Sequence, residues 1–255
     1  MTLLILIGLT GTGKTTTVDA LRDAGLDFSL LPNRRELTDQ YIIQYLQEQE
    51  DVPLKPVTDR TERFTYTRRY REIHPGGMAE ALERWSMANP STSSGQVGQL
   101  SIVNDELRIF DGLRGENEVT YAAQNLTDVW FLFLDAPAFV RVERLLGRND
   151  AFDQVEVVGG DGETAVSLDP SLTSWLTPQQ LAQLEDDIRK SALTIEDVVA
   201  KLTIVQKERQ NYNSDATLAA LRQHAPNHLI YADTVAYSPE EIAQQVLNAL
   251  RQEDD

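Results

Sequence analysis

Short apolar runs alternate along this chain with longer segments in which apolar residues recur every three or four positions. Five of the runs are predicted to be β-strands, and they cover residues 3–7, 28–32, 106–111, 129–134 and 228–233. The first run, Leu3–Ile7, contains no polar residue, which is typical of a parallel strand covered on both faces. A chain of 255 residues with this alternation is predicted to form an α/β domain with insertions.

The segments between these runs have helical periodicity or helix-capping signals. The predicted helices cover residues 15–24, 39–49, 59–74, 78–88, 116–124, 137–148, 178–190, 194–210, 215–224 and 238–251. Residues 89–98, rich in Ser, Pro and Gly, are predicted to be a surface loop, and residues 155–158 are candidates for a hairpin.

A phosphate-loop pattern, G-x-x-x-x-G-K-[ST], lies between the first strand and the first helix. The candidate nucleotide-binding residues are Gly8, Gly11, Thr12, Gly13, Lys14, Thr15 and Thr16. The alternative is a glycine-rich turn before an ordinary helix, and a chain of this length shows the bare pattern by chance with a probability of roughly 0.01. Because the pattern follows a buried strand and opens a helix, the sequence favours phosphate binding.

The chemistry of such a loop assigns roles to its side chains. Its backbone N–H groups and the helix N-terminus attract phosphate, Lys14 reaches the β- and γ-phosphates, and the Thr15 hydroxyl ligates Mg²⁺. Asp111 ends an apolar strand, where a carboxylate that coordinates Mg²⁺ or holds water is expected beside a phosphate loop. An Asp-Gly turn is the alternative for this residue.

The basic residues are unusual because only five of the 23 are lysines. Arginine recognises phosphate and carboxylate in a planar, bidentate manner. Arg34 and Arg35 follow the second strand, where the ligands of open parallel sheets bind. Arg68, Arg69 and Arg71 lie on the helix after Asp59, which we interpret as facing an anion. The alternative for Arg34 and Arg35 is that they are solvated surface residues. The alternative for the arginines of the helix after Asp59 is that they form ion pairs with nearby carboxylates.

A second group of arginines follows the fourth strand. Arg141, Arg144 and Arg148 are spaced by three and four residues, which places them on one face of a helix. Such a stripe is either a solvated face or a set of contacts to nucleotide phosphates.

The composition narrows the possible partners. The formal net charge of −17 disfavours nonspecific binding to nucleic acid or to an anionic membrane. The chain contains no cysteine, which excludes disulfides and thiolate metal sites. Its N-terminus does not resemble a signal peptide, so a cytoplasmic protein is expected. The three histidines do not have metal-ligand spacing.

The chain resembles the nucleoside-monophosphate-kinase-like branch of P-loop proteins in four features. These are the phosphate loop, the strand-end sequence Asp111-Gly-Leu-Arg114, the arginine stripe, and a final short strand followed by a capped helix. Within that branch the chain looks most like adenylate kinase and dephospho-coenzyme A kinase. The resemblance implies a three-layer α/β/α fold with a five-stranded parallel sheet and two mainly helical insertions. The implied regions are a nucleotide-binding core of residues 1–32, 106–148 and 226–255, an acceptor-binding insertion of residues 33–105, and a lid-like insertion of residues 149–225.

The resemblance also implies roles for single residues. Lys14 and Thr15 would hold the donor phosphates and Mg²⁺, Asp111 would support the metal or the acceptor, and Arg114 would face the acceptor. The catalytic residues implied are Lys14, Asp111, Arg144 and Arg148.

These observations predict Mg²⁺-dependent phosphotransfer from ATP, as a substrate, to a small anionic acceptor. The candidate acceptor-binding residues are Arg34, Arg35, Arg68, Arg69, Arg71 and Arg114. The alternative is a nucleotide-binding ATPase that acts as a regulator or adaptor and binds a protein partner. The arginine-rich segments favour the kinase, whereas the long helical region over residues 178–224 favours the regulator.

Overall fold

The structure is a computed structural model. It describes residues 2–88, 107–148, 168–190 and 192–251. The predicted surface loop 89–98 and the candidate hairpin 155–158 lie outside the described residues.

All five predicted strands are present. They are β1 (Leu3–Ile7), β2 (Phe28–Leu30), β3 (Leu107–Leu113), β4 (Val129–Asp135) and β5 (Leu229–Asp233). They form one sheet in the order β2-β3-β1-β4-β5, and every pairing is parallel. The five-stranded parallel sheet is therefore confirmed.

The central strand β1 pairs with β3 on one side and with β4 on the other. Its register with β3 shifts near its end, so that Leu6 lies opposite Asp111 and Ile7 lies opposite Leu113. The sequence predicted that β3 ends at Asp111, but the strand continues to Leu113. Asp111 consequently lies level with the last residues of β1, immediately before the phosphate loop.

The helices alternate with the strands. They are α1 (Lys14–Asp23), α2 (Arg34–Leu37), α3 (Gln44–Gln49), α4 (Arg60–Ile73), α5 (Gly77–Ala88), α6 (Glu116–Asn125), α7 (Ala138–Leu146), α8 (Pro170–Thr173), α9 (Pro178–Arg189), α10 (Ile195–Asn211), α11 (Ser214–His224) and α12 (Pro239–Arg251). A 3₁₀ turn, Pro226–His228, precedes β5. In the part of the chain that the structure describes, no helix is long and apolar enough to cross a membrane.

The single helix predicted over residues 39–49 was wrong in its bounds. Helix α2 begins earlier, at Arg34, because the Asn33 side chain accepts hydrogen bonds from the first-turn N–H groups and Glu36 bonds back to the Asn33 N–H. A π-helical turn, Thr38–Ile43, then separates α2 from α3.

Two hydrophobic cores cover the two faces of the sheet. Ile5 and Ile7 of β1 pack into one core with residues of α2 to α6 and α11. Leu4 and Leu6 point to the opposite face and pack into the other core with residues of α1 and α12. This alternation follows from the two-residue repeat of a strand, and it produces the three-layer arrangement that was predicted.

The described residues fall into two compact units. The first comprises those in Met1–Gly8, Gly13–Asp135 and Tyr212–Asp255, and the second those in Leu9–Thr12 and Ala136–Asn211. The second unit has a hydrophobic core of its own, built mainly by α7, α9 and α10. The region boundaries implied by the resemblance stay a prediction.

Candidate active site

The phosphate loop ends where α1 begins. Gly13 precedes the helix in the left-handed conformation, with φ 89° and ψ 15°, which strains any residue other than glycine. No side chain caps this helix end, and its first turn has no acidic residue. The first N–H groups of a helix lack intrahelical acceptors, so this end can bind an anion. The side chains of Thr15 and Thr16 in this turn are exposed.

The Lys14 ammonium lies beside this helix end in the first unit. Its Nζ donates a hydrogen bond to the Gly8 carbonyl at 2.9 Å and lies 3.8 Å from Asp111 Oδ1. The Lys14 side chain is only 12% exposed, whereas that of Asp111 is 33% exposed. Burial and the carboxylate together hold the ammonium close to the place where a bound phosphate would lie.

One oxygen of the Asp111 carboxylate, Oδ1, forms an ion pair with Lys14 but no hydrogen bond with a described residue. Oδ1 is buried and accepts no hydrogen bond from any described residue, because its distance to Lys14 is too long for one. Buried polar atoms without a partner are uncommon in folded proteins. A carboxylate oxygen in this position can accept a hydrogen bond from a ligand or bind a cation.

The same residues fit a magnesium ion. The Asp111 carboxylate, whose Oδ1 lacks a hydrogen bond, and the hydroxyl of the exposed Thr15 side chain both offer oxygen ligands of the kind that Mg²⁺ prefers. Among the described residues no group of three or more His, Cys, Asp or Glu side chains is arranged to hold a metal. A magnesium ion here would thus depend on substrate phosphates and water for its other ligands, as is usual for Mg²⁺.

Residues 9–12 of the loop belong to the second unit. The Thr12 side chain is buried, and its hydroxyl donates to the carbonyl at the start of this segment at 2.9 Å. The Gly11 carbonyl accepts a hydrogen bond from Arg144 Nη1 at 3.2 Å. Arg148 is exposed just after α7. Arg144 therefore contacts the loop backbone, and the catalytic roles of both arginines stay predictions.

A buried carboxylate, Glu118, organises the turn after β3. Arg34 donates from Nη1 to Glu118 Oε2 at 2.9 Å and from Nη2 to Glu118 Oε1 at 2.8 Å. The same two nitrogens donate to the Gly112 carbonyl and to the Tyr212 hydroxyl. The backbone N–H of Arg114 donates to Glu118 Oε2 at 2.8 Å. Both Nη atoms of Arg34 are thus bound inside the protein.

Charges in this cluster reinforce one another. Burial alone would raise the pKa of Glu118, but the charge and hydrogen bonds of Arg34, the Arg114 N–H and the charge of Arg71 lower it below the ordinary value. Burial likewise acts to lower the pKa of Arg34, but the charges of Glu118 and Tyr212 and their hydrogen bonds together outweigh burial and raise this pKa. Both side chains are therefore ionised at neutral pH.

We expect Glu118→Ala to lower the free energy of unfolding by about 3–5 kcal/mol, because it leaves the Arg34 charge buried and unpaired. The double variant with Arg34→Met and Glu118→Leu should lower the free energy of unfolding by less, since neither charge remains. Because the folded pKa of Glu118 is lowered, its stabilisation is complete above the ordinary glutamate value of 4.5 and is lost as the pH falls through the folded pKa. Urea unfolding at neutral and acidic pH measures these effects.

The control for this prediction is Glu116→Ala, which removes an exposed acid from the same helical turn. Equal destabilisation by the single and the double variant would show that the charge of Arg34 needs no partner.

The remaining candidate arginines are distributed differently. The Arg71 guanidinium lies over the Tyr212 ring at 5.4 Å from its centroid, and its buried Nε donates no hydrogen bond to any described residue. Arg35 and Arg68 are exposed, and Arg69 forms an ion pair with Glu50. The structure therefore brings Arg71 close to the cluster that Glu118 forms with Arg34 and Arg114. Arg35, Arg68 and Arg69 lie outside this cluster.

Two residues of this cluster were not identified from the sequence. In the sequence, Glu118 is one of the acidic residues in the first turn of a helix, and Tyr212 lies between two predicted helices. No local pattern distinguishes either of them, because their partners are distant in the chain.

No protein-family model and no curated protein matches the chain. Several solved structures do match the chain. A sugar kinase from Janibacter sp. HTCC2649 has 17% identity and a TM-score of 0.43, with 98% of this chain and 95% of that chain covered. A gluconokinase from Sinorhizobium meliloti 1021 has 13% identity and a TM-score of 0.42, covering 98% and 92%. A shikimate kinase from Acinetobacter baumannii in complex with shikimate has 15% identity and a TM-score of 0.38, covering 99% and 94%. At these values the activities of the three proteins do not extend to this chain.

Proposed function

We propose that this protein is an ATP-dependent phosphotransferase that uses Mg²⁺ and acts on a small anionic acceptor. The observation that carries this proposal is the position of Lys14 Nζ, 3.8 Å from a carboxylate whose buried oxygen accepts no hydrogen bond from the described residues. A cation at a helix start binds phosphate, and a carboxylate beside it binds the metal or the attacking group. The residues proposed to bind the nucleotide are Gly8, Gly11, Thr12, Gly13, Lys14, Thr15 and Thr16.

In the proposed reaction, an acceptor oxygen attacks the γ-phosphorus of ATP in line. A new P–O bond forms while the bond from the γ-phosphorus to the β,γ-bridging oxygen breaks, and ADP leaves with the electron pair. If the acceptor is a hydroxyl group, its proton passes to Asp111 or to water. Lys14 stabilises the charge on the transferred group, and Arg144 and Arg148 are proposed to add to this stabilisation. When bound by Thr15 and Asp111, Mg²⁺ supplies further neutralisation of the phosphates.

The acceptor is proposed to bind near the turn after β3. Arg71 supports this because its buried Nε has no acceptor among the described residues. Arg114 lies on the same turn, three residues after Asp111. Arg34 is proposed to fix the turn, because both of its Nη atoms are already bound. The outer arginines proposed to attract the anion are Arg35, Arg68 and Arg69.

The direct test is a screen of anionic metabolites for compounds that increase ADP release from Mg·ATP, followed by phosphorus NMR of the product. Phosphotransfer predicts a new phosphorylated compound formed in equal amount to ADP. If ADP forms only slowly and no compound is phosphorylated, the proposal is wrong.

Once an acceptor is known, we expect Arg71→Ala to lower the rate of its phosphorylation by on the order of tenfold, since one charged hydrogen bond is lost. ATP affinity should stay nearly unchanged. Arg71→Lys should not restore the rate, because lysine lacks the planar fork and the ring contact of arginine. Initial rates at saturating ATP measure the effect.

The matched control for Arg71 is Arg189→Ala, which removes an arginine side chain that is 67% exposed. Unchanged rates in both Arg71 variants would reject Arg71 as an acceptor contact.

One observation favours the second candidate function, a nucleotide-binding ATPase that acts as a regulator or adaptor. Among the described residues of the second unit, nine buried side chains form a separate hydrophobic core, which is more than a small lid requires. For this function, slow ATP hydrolysis should rise with a protein partner and should not respond to any metabolite in the screen.

A further inference from the structure

The second unit contains a buried ion pair that contacts the phosphate loop. Glu208 of α10 and Arg141 of α7 are 0% and 3% exposed, and Arg141 Nη2 donates to Glu208 Oε2. A carboxylate buried to this degree is costly unless it is paired and hydrogen-bonded. The two side chains meet part of this requirement through each other, and a loop residue that both of them bind meets a further part.

Thr10 of the loop is the common partner of the pair. Its backbone N–H donates to Glu208 Oε2 at 3.1 Å, and its hydroxyl donates to Glu208 Oε1. Its carbonyl accepts a hydrogen bond from Arg141 Nε at 2.7 Å. The N–H, the hydroxyl and the carbonyl of one loop residue are therefore all bound by two side chains that lie far away in the sequence.

These bonds determine the orientation of the next peptide group. In a planar trans peptide the C=O and N–H bonds point in opposite directions. Because the Thr10 carbonyl is directed to Arg141, the Gly11 N–H of the same peptide is directed away from it. Gly11 also has φ 86°, and a Cβ at this position would lie 2.9 Å from the Arg141 carbonyl. The loop backbone at Gly11 is thus held in one orientation against α7.

The charges of the pair explain how an acid can lie beside a phosphate-binding segment. Glu208 alone would repel a phosphate, but Arg141 neutralises it, and Arg144 adds a positive charge at the Gly11 carbonyl. The amide of Thr10 is bound to Glu208, so it serves to fix the loop and does not serve as a phosphate donor.

We propose that Glu208 is a positioning residue of the phosphate loop, which acts through Thr10 and Arg141 to orient the Gly11 N–H toward the nucleotide phosphates. This inference rests on the proposed function, because it presumes that the loop binds a nucleotide. It gives α10 a specific part in nucleotide binding that neither the loop pattern nor the arginine stripe indicates.

The test is calorimetry with Mg·ADP on the full chain. We expect Glu208→Gln to weaken binding by on the order of tenfold, the equivalent of one charge-assisted hydrogen bond, and Glu208→Ala to weaken it further, because glutamine keeps one acceptor oxygen. Denaturant unfolding without nucleotide is measured in parallel. A positioning role requires weaker binding in variants that are still fully folded. The control is Glu196→Gln, an exposed acid on the same helix.

A second variant is available if the Glu208 variants do not fold. Thr10→Val removes only the hydroxyl bond while keeping the side-chain shape, and it should weaken binding by about threefold. Where Glu208→Ala does fold, the effect of Thr10→Val should largely disappear in the double variant, because alanine has already removed the acceptor of the hydroxyl bond. Wild-type affinity in folded Glu208→Ala or in Thr10→Val would refute the positioning role alone, whereas failure of the wild-type protein to bind Mg·ADP would refute the proposed function.

Discussion

Replacing Lys14 by alanine is expected to lower turnover by about 10²–10³-fold and to weaken the binding of Mg·ATP. The reason is that the Lys14 ammonium is held at a fixed place, with one hydrogen bond to the Gly8 carbonyl and the Asp111 carboxylate 3.8 Å away. A charge held in advance costs little reorganisation when the transferred phosphoryl group develops its own charge. Steady-state rates and calorimetry measure the two effects.

Unfolding of the Lys14→Ala variant has to be distinguished from a loss of turnover and of Mg·ATP binding. Circular dichroism of the Lys14 variant should match that of the wild-type protein, and urea unfolding should show only the modest loss of one ion pair and one hydrogen bond. The control is Lys190→Ala, which removes an exposed lysine paired with Asp186. If Lys14→Ala keeps both wild-type turnover and wild-type affinity, the loop does not bind phosphate.

Asp111→Asn should lower Mg²⁺-dependent turnover by about 10²–10⁴-fold while leaving nucleotide affinity without Mg²⁺ nearly unchanged. Asparagine keeps the shape of aspartate, but it can neither take up a proton nor bring a negative charge to a metal ion. The buried Oδ1 without a hydrogen bond is the atom on which this expectation depends. A titration of turnover with Mg²⁺ should show a lower maximum and a higher half-saturating concentration.

The control for Asp111→Asn is Asp23→Asn, which changes an exposed acid at the C-terminal end of α1. Wild-type turnover of Asp111→Asn at limiting Mg²⁺ would assign Asp111 to the structure of β3 and not to the reaction.

The elements of the fold could be predicted because their signals are local. A strand covered on both faces is an apolar run, and Leu3–Ile7 shows this directly. The phosphate loop is also a local signal, because its glycines are required by the left-handed backbone at Gly11 and Gly13. The bounds of β3 were less accurate, because the shift in register after Leu6 depends on a neighbouring strand.

The side-chain partners could not be predicted, because they depend on long-range contacts. Arg34 and Glu118 are 84 residues apart, and Thr10 and Glu208 are 198 residues apart. The spacing of Arg141 and Arg144 predicts one side of α7, and both donate to the loop backbone there. The spacing does not show that Arg141 is buried, and the helix predicted to include Arg148 ends at Leu146, which leaves Arg148 exposed beyond it. Spacing fixes a direction around a helix axis, whereas burial depends on which element lies in that direction.

The position of β1 between the two cores has a consequence for the way the first unit opens. Leu4 to Ile7 are all 0% exposed, and they contribute alternately to the two faces of the sheet. Because neither core can come apart without exposing this strand, we expect the amide protons of β1 to be among the slowest in the first unit to exchange with solvent. The phosphate loop continues from this strand, and Lys14 Nζ donates a hydrogen bond to the carbonyl of Gly8, the residue that follows the strand. Lys14 is therefore bonded next to a strand that we expect to open only rarely, so its position should persist through local opening elsewhere in the first unit.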